Sequence, residues 1–424
     1  MPGPGSDTPQ EAHASSPLNG LRAFSVYPIA YRPNPHAVSK AAYGQRQEAV
    51  LDGVGAEAAQ QEIVAWPDYR QTPLLGLDSL AREAGLARLW YKDESERFGL
   101  GSFKALGGAY AVSRQLKLAI RDATGGTEAS TGDLLAGTYA EITRGVTVAC
   151  ATDGNHGRSV AWGAEAFGCR CVIFLHATVS QGREDAIARF GAEIRRVPGN
   201  YDDSVREAAR LAAAEGWIVV SDTSYEGYRE IPRDVMQGYT LMAAEALEQL
   251  GGARPTHVFL QAGVGGMAAA VCAQLWRHYG PERPAVFIVE PDQAACLLES
   301  VERGEASAIE GDLDTIMAGL ACGETSIIAW EILDEGAEGF LTVTDAAAGE
   351  CMRLLAGNEP PIVAGESAVA GLAAVLGAVW RPELFKALGL DADSRVLLFG
   401  TEGDTDPEVY RAIVGRAGDE VRRS

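Results

Sequence analysis

The chain has 424 residues, and its 47% of hydrophobic side chains is an ordinary share for a globular protein of two or three domains. Against 36 basic side chains stand 58 acidic ones, a net charge of −22 that repels phosphate backbones and anionic lipid. Nucleic acid and membrane surfaces are thereby excluded as expected partners, and the apolar run 368–380 is too short to span a bilayer.

The opening stretch MPGPGSDTPQEAHASSPLNG carries neither the basic nor the apolar region of a signal peptide. Residues 1–22 read as a flexible tail, and the protein as cytoplasmic. Next comes KDESERFGLGSFKALGGAYAV, with Lys104 set among Ser102, Phe103, Gly107 and Gly108. A lysine with small and apolar neighbours is expected to be partly desolvated. Burial disfavours the ammonium and lowers its pKa, which suits a lysine that forms Schiff bases. Alone, it reads rather as a lysine laying its stem on an apolar surface at a helix start. Residues 125–140 are small, polar and acidic, and read as a surface loop.

From about residue 145 strands and helices alternate. VTVACAT (146–152), RCVIFL (170–175), EIRRV and WIVVSD read as strands, separated by helices at 156–168, 182–191 and 201–216. A long helical pattern at 234–250 follows. Then come the strands THVFLQA (256–262) and AVFIVEP (285–291), with a helix from Gly265 between them, and finally SRVLLFGT (394–401). Short apolar strands alternating with helices predict an α/β fold whose mostly parallel sheets are covered on both faces. Two doubly wound units are expected, one around 106–224 and one made from the flanking segments. Ligands bind such folds beyond the carboxyl ends of strands.

Three loops lie there. Asp153-Gly154-Asn155-His156-Gly157 follows the first strand; its glycine allows a tight turn, Asn155 can hydrogen-bond a ring oxygen, and a helix start favours an anion. It reads also as a plain helix cap, and His156 as a packed histidine. Gly263-Val264-Gly265-Gly266 can turn backbone amides toward a phosphate. It nearly matches a dinucleotide fingerprint, but Glu290 lies far along for the ribose-binding acid, and a phosphate monoester or bare helix packing serves as well. Thr401 ends the last strand, where a hydroxyl can face a heterocyclic nitrogen; a polar turn capping the next helix is the alternative. The seven cysteines form no CxxC pair and the six histidines no metal spacing. Cys169 and Cys171 are poorly placed for a bridge. Cys296 and Cys322 can meet in the fold or stand as separate buried thiols.

GSFK, DGNHG, GVGG and GTEGDT, in this order, resemble the lysine motif, asparagine loop, phosphate loop and final hydroxyl strand of the fold-type II pyridoxal-phosphate enzymes, the tryptophan synthase β family. The segments YKDESERFGL, SDTSYEGY, QGYTLMAAEALEQ and TIMAGLACGE are most similar to its diaminopropionate ammonia-lyases, and the likeness runs from about Tyr69 to Tyr410. The resemblance implies pyridoxal 5'-phosphate held by Lys104, with Phe103, Asn155, Gly263, Val264, Gly265, Gly266 and Thr401 around it and no metal. It implies a homodimer acting on a small amino acid. It also implies a large discontinuous cofactor-binding domain, 23–105 with 225–424, and a smaller domain, 106–224, closing over the site.

The reaction implied is elimination of ammonia from D- or L-2,3-diaminopropionate, giving pyruvate and two ammonia. Asp153 stands where the family's dehydratases carry Ser or Thr. An aspartate there repels a carboxylate and attracts a second amine, an interaction of roughly 4 kcal/mol before desolvation at an effective dielectric of about 20. Asp222, ending WIVVSD, is a second candidate acid or base, or else a strand-end turn residue; the resemblance implies that the two aspartates act on opposite faces of Cα. Thr401, a neutral group at the pyridine nitrogen, favours elimination over transamination. A serine/threonine dehydratase or another β-eliminating or β-replacing enzyme is the alternative. A binding protein without cofactor and an NAD-dependent dehydrogenase are the readings from other classes.

Overall fold

A computed structural model of the chain describes residues 21–424, apart from Asp153, Asn200 and the side chain of Asp202. Eleven strands are present among the described residues: β1 (Ile29–Pro33), β2 (Leu74–Gly76), β3 (Arg88–Asp93), β4 (Thr147–Ala151), β5 (Arg170–His176), β6 (Glu193–Val197), β7 (Ile218–Val219), β8 (His257–Gln261), β9 (Ala285–Pro291), β10 (Gly339–Val343) and β11 (Arg395–Gly400). They form a seven-stranded sheet in the order β1-β10-β9-β8-β11-β3-β2 and a four-stranded sheet in the order β6-β5-β4-β7. The smaller sheet is wholly parallel. The larger is parallel except at its edges, where β1 and β2 run antiparallel to β10 and β3.

Helices cover the sheets, so the inner strands are apolar at nearly every position. Every residue of β8 (HVFLQ) and of β10 (GFLTV) is buried. The edge strand β1 (IAYRP) is only partly covered and admits Arg32 and Pro33. At the amino end, residues 1–20 lie outside the described residues. Leu21 is buried, and its carbonyl accepts from the Trp380 indole at 2.7 Å.

Several sequence expectations shift in detail. WIVVSD pairs only through Ile218 and Val219. Val220 still donates to the Ala149 carbonyl, after which the chain turns away toward Asp222. The helix expected from residue 234 begins at Glu230, because Pro232 falls in its first turn, where a missing N–H leaves no bond unmade. The stretch expected to be a loop at 125–140 contains a helix, Thr131–Leu135, capped reciprocally by Ser130 and Asp133 and anchored by buried Leu134. β1, β2, β3 and β10 carried no sequence expectation. In β3 (RLWYKD), Lys92 hides the strand from a hydropathy reading, yet it is fully buried.

Lys92 belongs to an internal ion cluster. Its ammonium meets Glu245 at 2.6 Å; Arg97 bonds both Glu245 at 2.7 Å and Glu94 at 2.8 Å; Thr72 donates to Glu94 at 2.6 Å. Every charge there has a partner, which burial of ions requires. The cluster ties β3 and the turn after it to the helix Glu230–Gln249, fixing the chain that leads into Lys104.

Two neighbours clamp the helix Ala105–Thr124 that Lys104 opens. A Cβ on Gly107 would lie 2.4 Å from the Tyr239 ring, and one on Gly238 1.9 Å from the Leu106 carbonyl oxygen. On the other flank, a Cβ on Gly108 would lie 1.9 Å from Ser159 Oγ. Only glycine lets these backbones approach so closely.

Candidate active site

The carboxyl ends of β4, β7, β8 and β11 converge on one cleft, with about 660 Å³ of space between atoms including its open mouth. Lys104, Phe103, Asn155, Asp222, Gly263–Gly266 and Thr401 all border it. Sequence reasoning named each of them. Asp153 lies outside the described residues.

The lysine loop is stitched to the last strand. Ser102 and Glu402 form a β-bridge, Phe103 N–H donates to the Thr401 carbonyl at 3.1 Å, and Gly403 N–H to the Gly101 carbonyl at 2.9 Å. Lys104 therefore enters the cleft from a fixed backbone. Its ammonium donates to Asp222 Oδ2 at 2.5 Å. Burial works against the ammonium, but the Asp222 carboxylate outweighs it and holds Lys104 well above the ordinary lysine value. This corrects the expectation of a lowered lysine pKa. The neighbours of Lys104 in sequence are indeed small and apolar, but the residue that decides its charge is 118 positions away.

Asp222 is also buried, which disfavours its charge; Lys104 and then His156 reverse this and hold it below the usual carboxylate range. His156 Nδ1 lies 3.8 Å from Asp222 Oδ2, while Nε2 donates to the Val220 carbonyl at 3.0 Å. Burial keeps this imidazole neutral, its pKa below the ordinary value. The packed histidine expected from sequence is thus also a wall of the Asp222 pocket.

Asn155 is the first residue of the helix Asn155–Phe167, and its amide donates to Glu402 Oε2 at 2.5 Å. Glu402 further accepts from the Ser367 amide at 3.0 Å, so Asn155 faces the cleft in one orientation. The Thr401 hydroxyl accepts from Gln261 Nε2 at 2.9 Å and donates to the Ser367 carbonyl at 3.2 Å. Gln261, Ser367, Glu402, Tyr201 and Tyr239 line the cleft without having been singled out for it. For Glu402 the signal was its place next to Thr401; for Tyr239, a phenol directly after the glycine of the segment QGYT.

The glycine loop has the form an anion needs. Gly265 has φ +98°, a left-handed conformation suited to glycine, and a Cβ there would lie 3.2 Å from the Ala329 methyl. It caps the helix Gly266–Tyr279, whose first amides point out of the helix unpaired. Cys322 closes the other side, 2.8 Å from where a Gly263 Cβ would stand. Cys296 and Cys322 both flank this loop and are not bridged. A wider groove of about 1110 Å³ lies on the smaller sheet, but it holds no lysine or glycine loop. Its arginines 195, 196, 206 and 210 are engaged by Glu193, Glu184, Asp203 and Glu207.

Residues 65–402 match the family model of the pyridoxal-phosphate dependent enzymes. The chain is 43% identical over 371 residues to the diaminopropionate ammonia-lyase of Escherichia coli K12, covering 85% of this chain and 91% of that protein. The chain belongs to the diaminopropionate ammonia-lyase family of pyridoxal-phosphate dependent enzymes. The crystal structure of the selenomethionine holo form of the Escherichia coli lyase superposes with a TM-score of 0.83 at 39% identity, over 92% of this chain and 97% of that one. The complex of the same enzyme with an aminoacrylate-PLP azomethine reaction intermediate gives 0.81 at 39%, over the same shares. The two doubly wound sheets are thus the fold-type II architecture, and pyridoxal phosphate is the cofactor of this lyase. The cleft fits that group: a glycine cradle and helix start for the phosphate, Asn155 and Phe103 for the ring, and Lys104 for the aldehyde. Among the described residues no helix is long and apolar enough to cross a membrane, and no cluster of side chains could hold a metal.

Proposed function

We propose that this lyase eliminates ammonia from 2,3-diaminopropionate, as D- or L-isomer, giving pyruvate and a second ammonia. The observation that carries the reading is the Lys104–Asp222 pair at 2.5 Å within a cleft that also presents Asn155 and the glycine loop. When bound, pyridoxal phosphate supplies the electron sink for charge developing at the substrate's Cα. Lys104 would hold the cofactor, Gly263–Gly266 would receive the phosphate, and Asn155, oriented by Glu402, would meet the ring oxygen. Thr401, fixed by Gln261 and Ser367, stands on the ring-nitrogen side as a neutral group.

The other side chains move protons. A substrate arrives as an ammonium and must lose a proton before its nitrogen can act as a nucleophile; Asp222 Oδ2 is placed to accept it. Lys104 Nζ, once neutral, can take a proton from Cα. We assign to Asp153 the recognition of the second amine, through its carboxylate. Amide ion is a poor leaving group, so the β-nitrogen must depart from its ammonium form as neutral ammonia; a β-nitrogen that is neutral in the complex would first need a proton from Lys104 or from one of the two carboxyl groups. The functional division we propose is a cofactor-binding domain, 23–105 with 225–424, and a smaller domain, 106–224, that closes over the substrate, in a homodimer.

Pyruvate release from D- and L-diaminopropionate, compared with D- and L-serine, tests the reading. Faster turnover of a diaminopropionate isomer is expected. A clear preference for serine would make the chain a dehydratase, and the same assay on Asp153→Asn would show whether that residue sets the choice.

A further inference from the structure

Tyr239 lies in the middle of the helix Glu230–Gln249, is 1% exposed, and lines the cleft. Its ring packs on Phe103, centroids 4.7 Å apart, and against the bare backbone of Gly107. Lys104 Nζ stands 5.4 Å from the Phe103 centroid and 5.9 Å from that of Tyr239. Yet the Tyr239 hydroxyl has no hydrogen-bond partner among the described residues. Phenylalanine would fill the same space. A buried hydroxyl without a well-formed hydrogen bond destabilises a fold, and Lys104, whose charge acts directly on the phenol, is the neighbour within reach.

The surroundings of Lys104 indicate in which form it serves as the partner. Asp222, as a carboxylate, can only accept, so it takes an N–H of Lys104 but cannot serve the lone pair that the neutral amine exposes. His156 has committed its Nε2 proton to the Val220 carbonyl. The thiols of Cys322, on the loop beyond Gly319, and of Cys150, on β4, are weak donors. Glu402 is taken up by Asn155 and Ser367. Tyr239 is the strong donor beside Nζ, and burial keeps its phenol protonated, above the ordinary tyrosine value.

We propose that Tyr239 is a positioning residue whose hydroxyl donates to the lone pair of Lys104 in its neutral form, complementing Asp222, which accepts from an N–H of the same nitrogen. This rests on the lyase reading above. A donor of this kind stabilises the neutral amine, so its removal raises the pH at which Lys104 becomes available.

The test is Tyr239→Phe, read in two ways. In steady state on diaminopropionate, kcat should fall about tenfold, the worth of one ordinary hydrogen bond, with KM within about twofold. In the second measurement, pyridoxal phosphate is added to cofactor-depleted protein and the rate of uptake is followed against pH. The midpoint should move up by about one unit, while the final visible band of the loaded protein is unchanged. A side chain that merely filled space would leave that midpoint where it was. Unaltered kcat and midpoint would overturn the proposal, as would a variant that no longer takes up the cofactor at all. If wild-type protein released no pyruvate from either isomer, the lyase reading itself would fail, and the uptake midpoint would then decide the Lys104–Tyr239 pairing alone.

Discussion

Replacing Asp222 by Asn removes the charge opposite Lys104 while keeping the side chain's size. At 2.5 Å the two groups form a tight pair, each less than one-fifth exposed. Unit charges 4 Å apart attract by about 4 kcal/mol at an effective dielectric of about 20, and these are closer. Removing one partner of a buried pair costs roughly 3–5 kcal/mol, because the desolvation of the other is no longer offset. At 1.36 kcal/mol per unit, the lysine pKa should then fall by about 2–4 units. Burial, which Asp222 now outweighs, would set the value alone. Only neutral Lys104 can attack the cofactor's aldehyde, so pyridoxal phosphate uptake by cofactor-depleted Asp222→Asn should reach its half-maximal rate at a pH lower by about that amount. Turnover should move the other way: without its proton acceptor, the variant should lose about 10²–10⁴ in kcat, unequally for the D- and L-isomers. An uptake profile that coincides with wild type would refute the electrostatic reasoning, and undiminished turnover of both isomers the catalytic part. The pair also bears on stability of the cofactor-depleted protein. Asp222 has a depressed pKa, so its contribution is present above the ordinary carboxylate range and is lost on acidification; Lys104 has a raised one, so its contribution is present below the ordinary lysine range and is lost on alkalinisation. Chemical denaturation of the depleted wild type should therefore show the pair's stabilisation between about pH 4 and pH 10, and Asp222→Asn should lack it.

Lys104→Ala should retain its fold but lose both the visible band of the lysine-bound cofactor and pyruvate production; a persistent band would place the cofactor on another lysine. Gly265→Ala imposes a left-handed backbone on alanine, costing about 1–2 kcal/mol, and it crowds Ala329, so weaker cofactor affinity and a lower melting temperature are expected. Titration with pyridoxal phosphate checks the first effect and calorimetry the second. Glu245→Gln strands the Lys92 ammonium in the interior and leaves Arg97 with Glu94 alone, and should destabilise the protein by about 3–5 kcal/mol in urea unfolding; a loss below about 1 kcal/mol would mean the cluster relaxes without it.

The alternation of strand and helix from residue 145 was legible because strands buried on both faces write themselves as unbroken apolar runs, as HVFLQ and AVFIVEP do. The first hundred residues were less so. β2 is three residues long, and β3 carries a lysine whose burial depends on Glu245, more than 150 positions later. The site shows the same division. The loops after strands, Asn155, Gly263–Gly266 and Thr401, are local patterns and could be read from sequence. The charge of Lys104, the orientation of Asn155 by Glu402, and the orphan hydroxyl of Tyr239 are products of tertiary contact, and no local pattern encodes them.

The glycine-lined approaches around the helix Ala105–Thr124 bear on how the cleft can change width. That helix is locked by backbone contact at Gly238 on one side and by Gly108 against Ser159 on the other. It therefore behaves as an axle shared by both sheets, with its lysine at the end. Neither contact leaves room for a further side chain between the two helices. If the smaller domain closes as proposed above, the loop after β7 carries Asp222 toward or away from Lys104. The distance between the two is then a natural gauge of closure, one that a probe attached near residue 222 could follow.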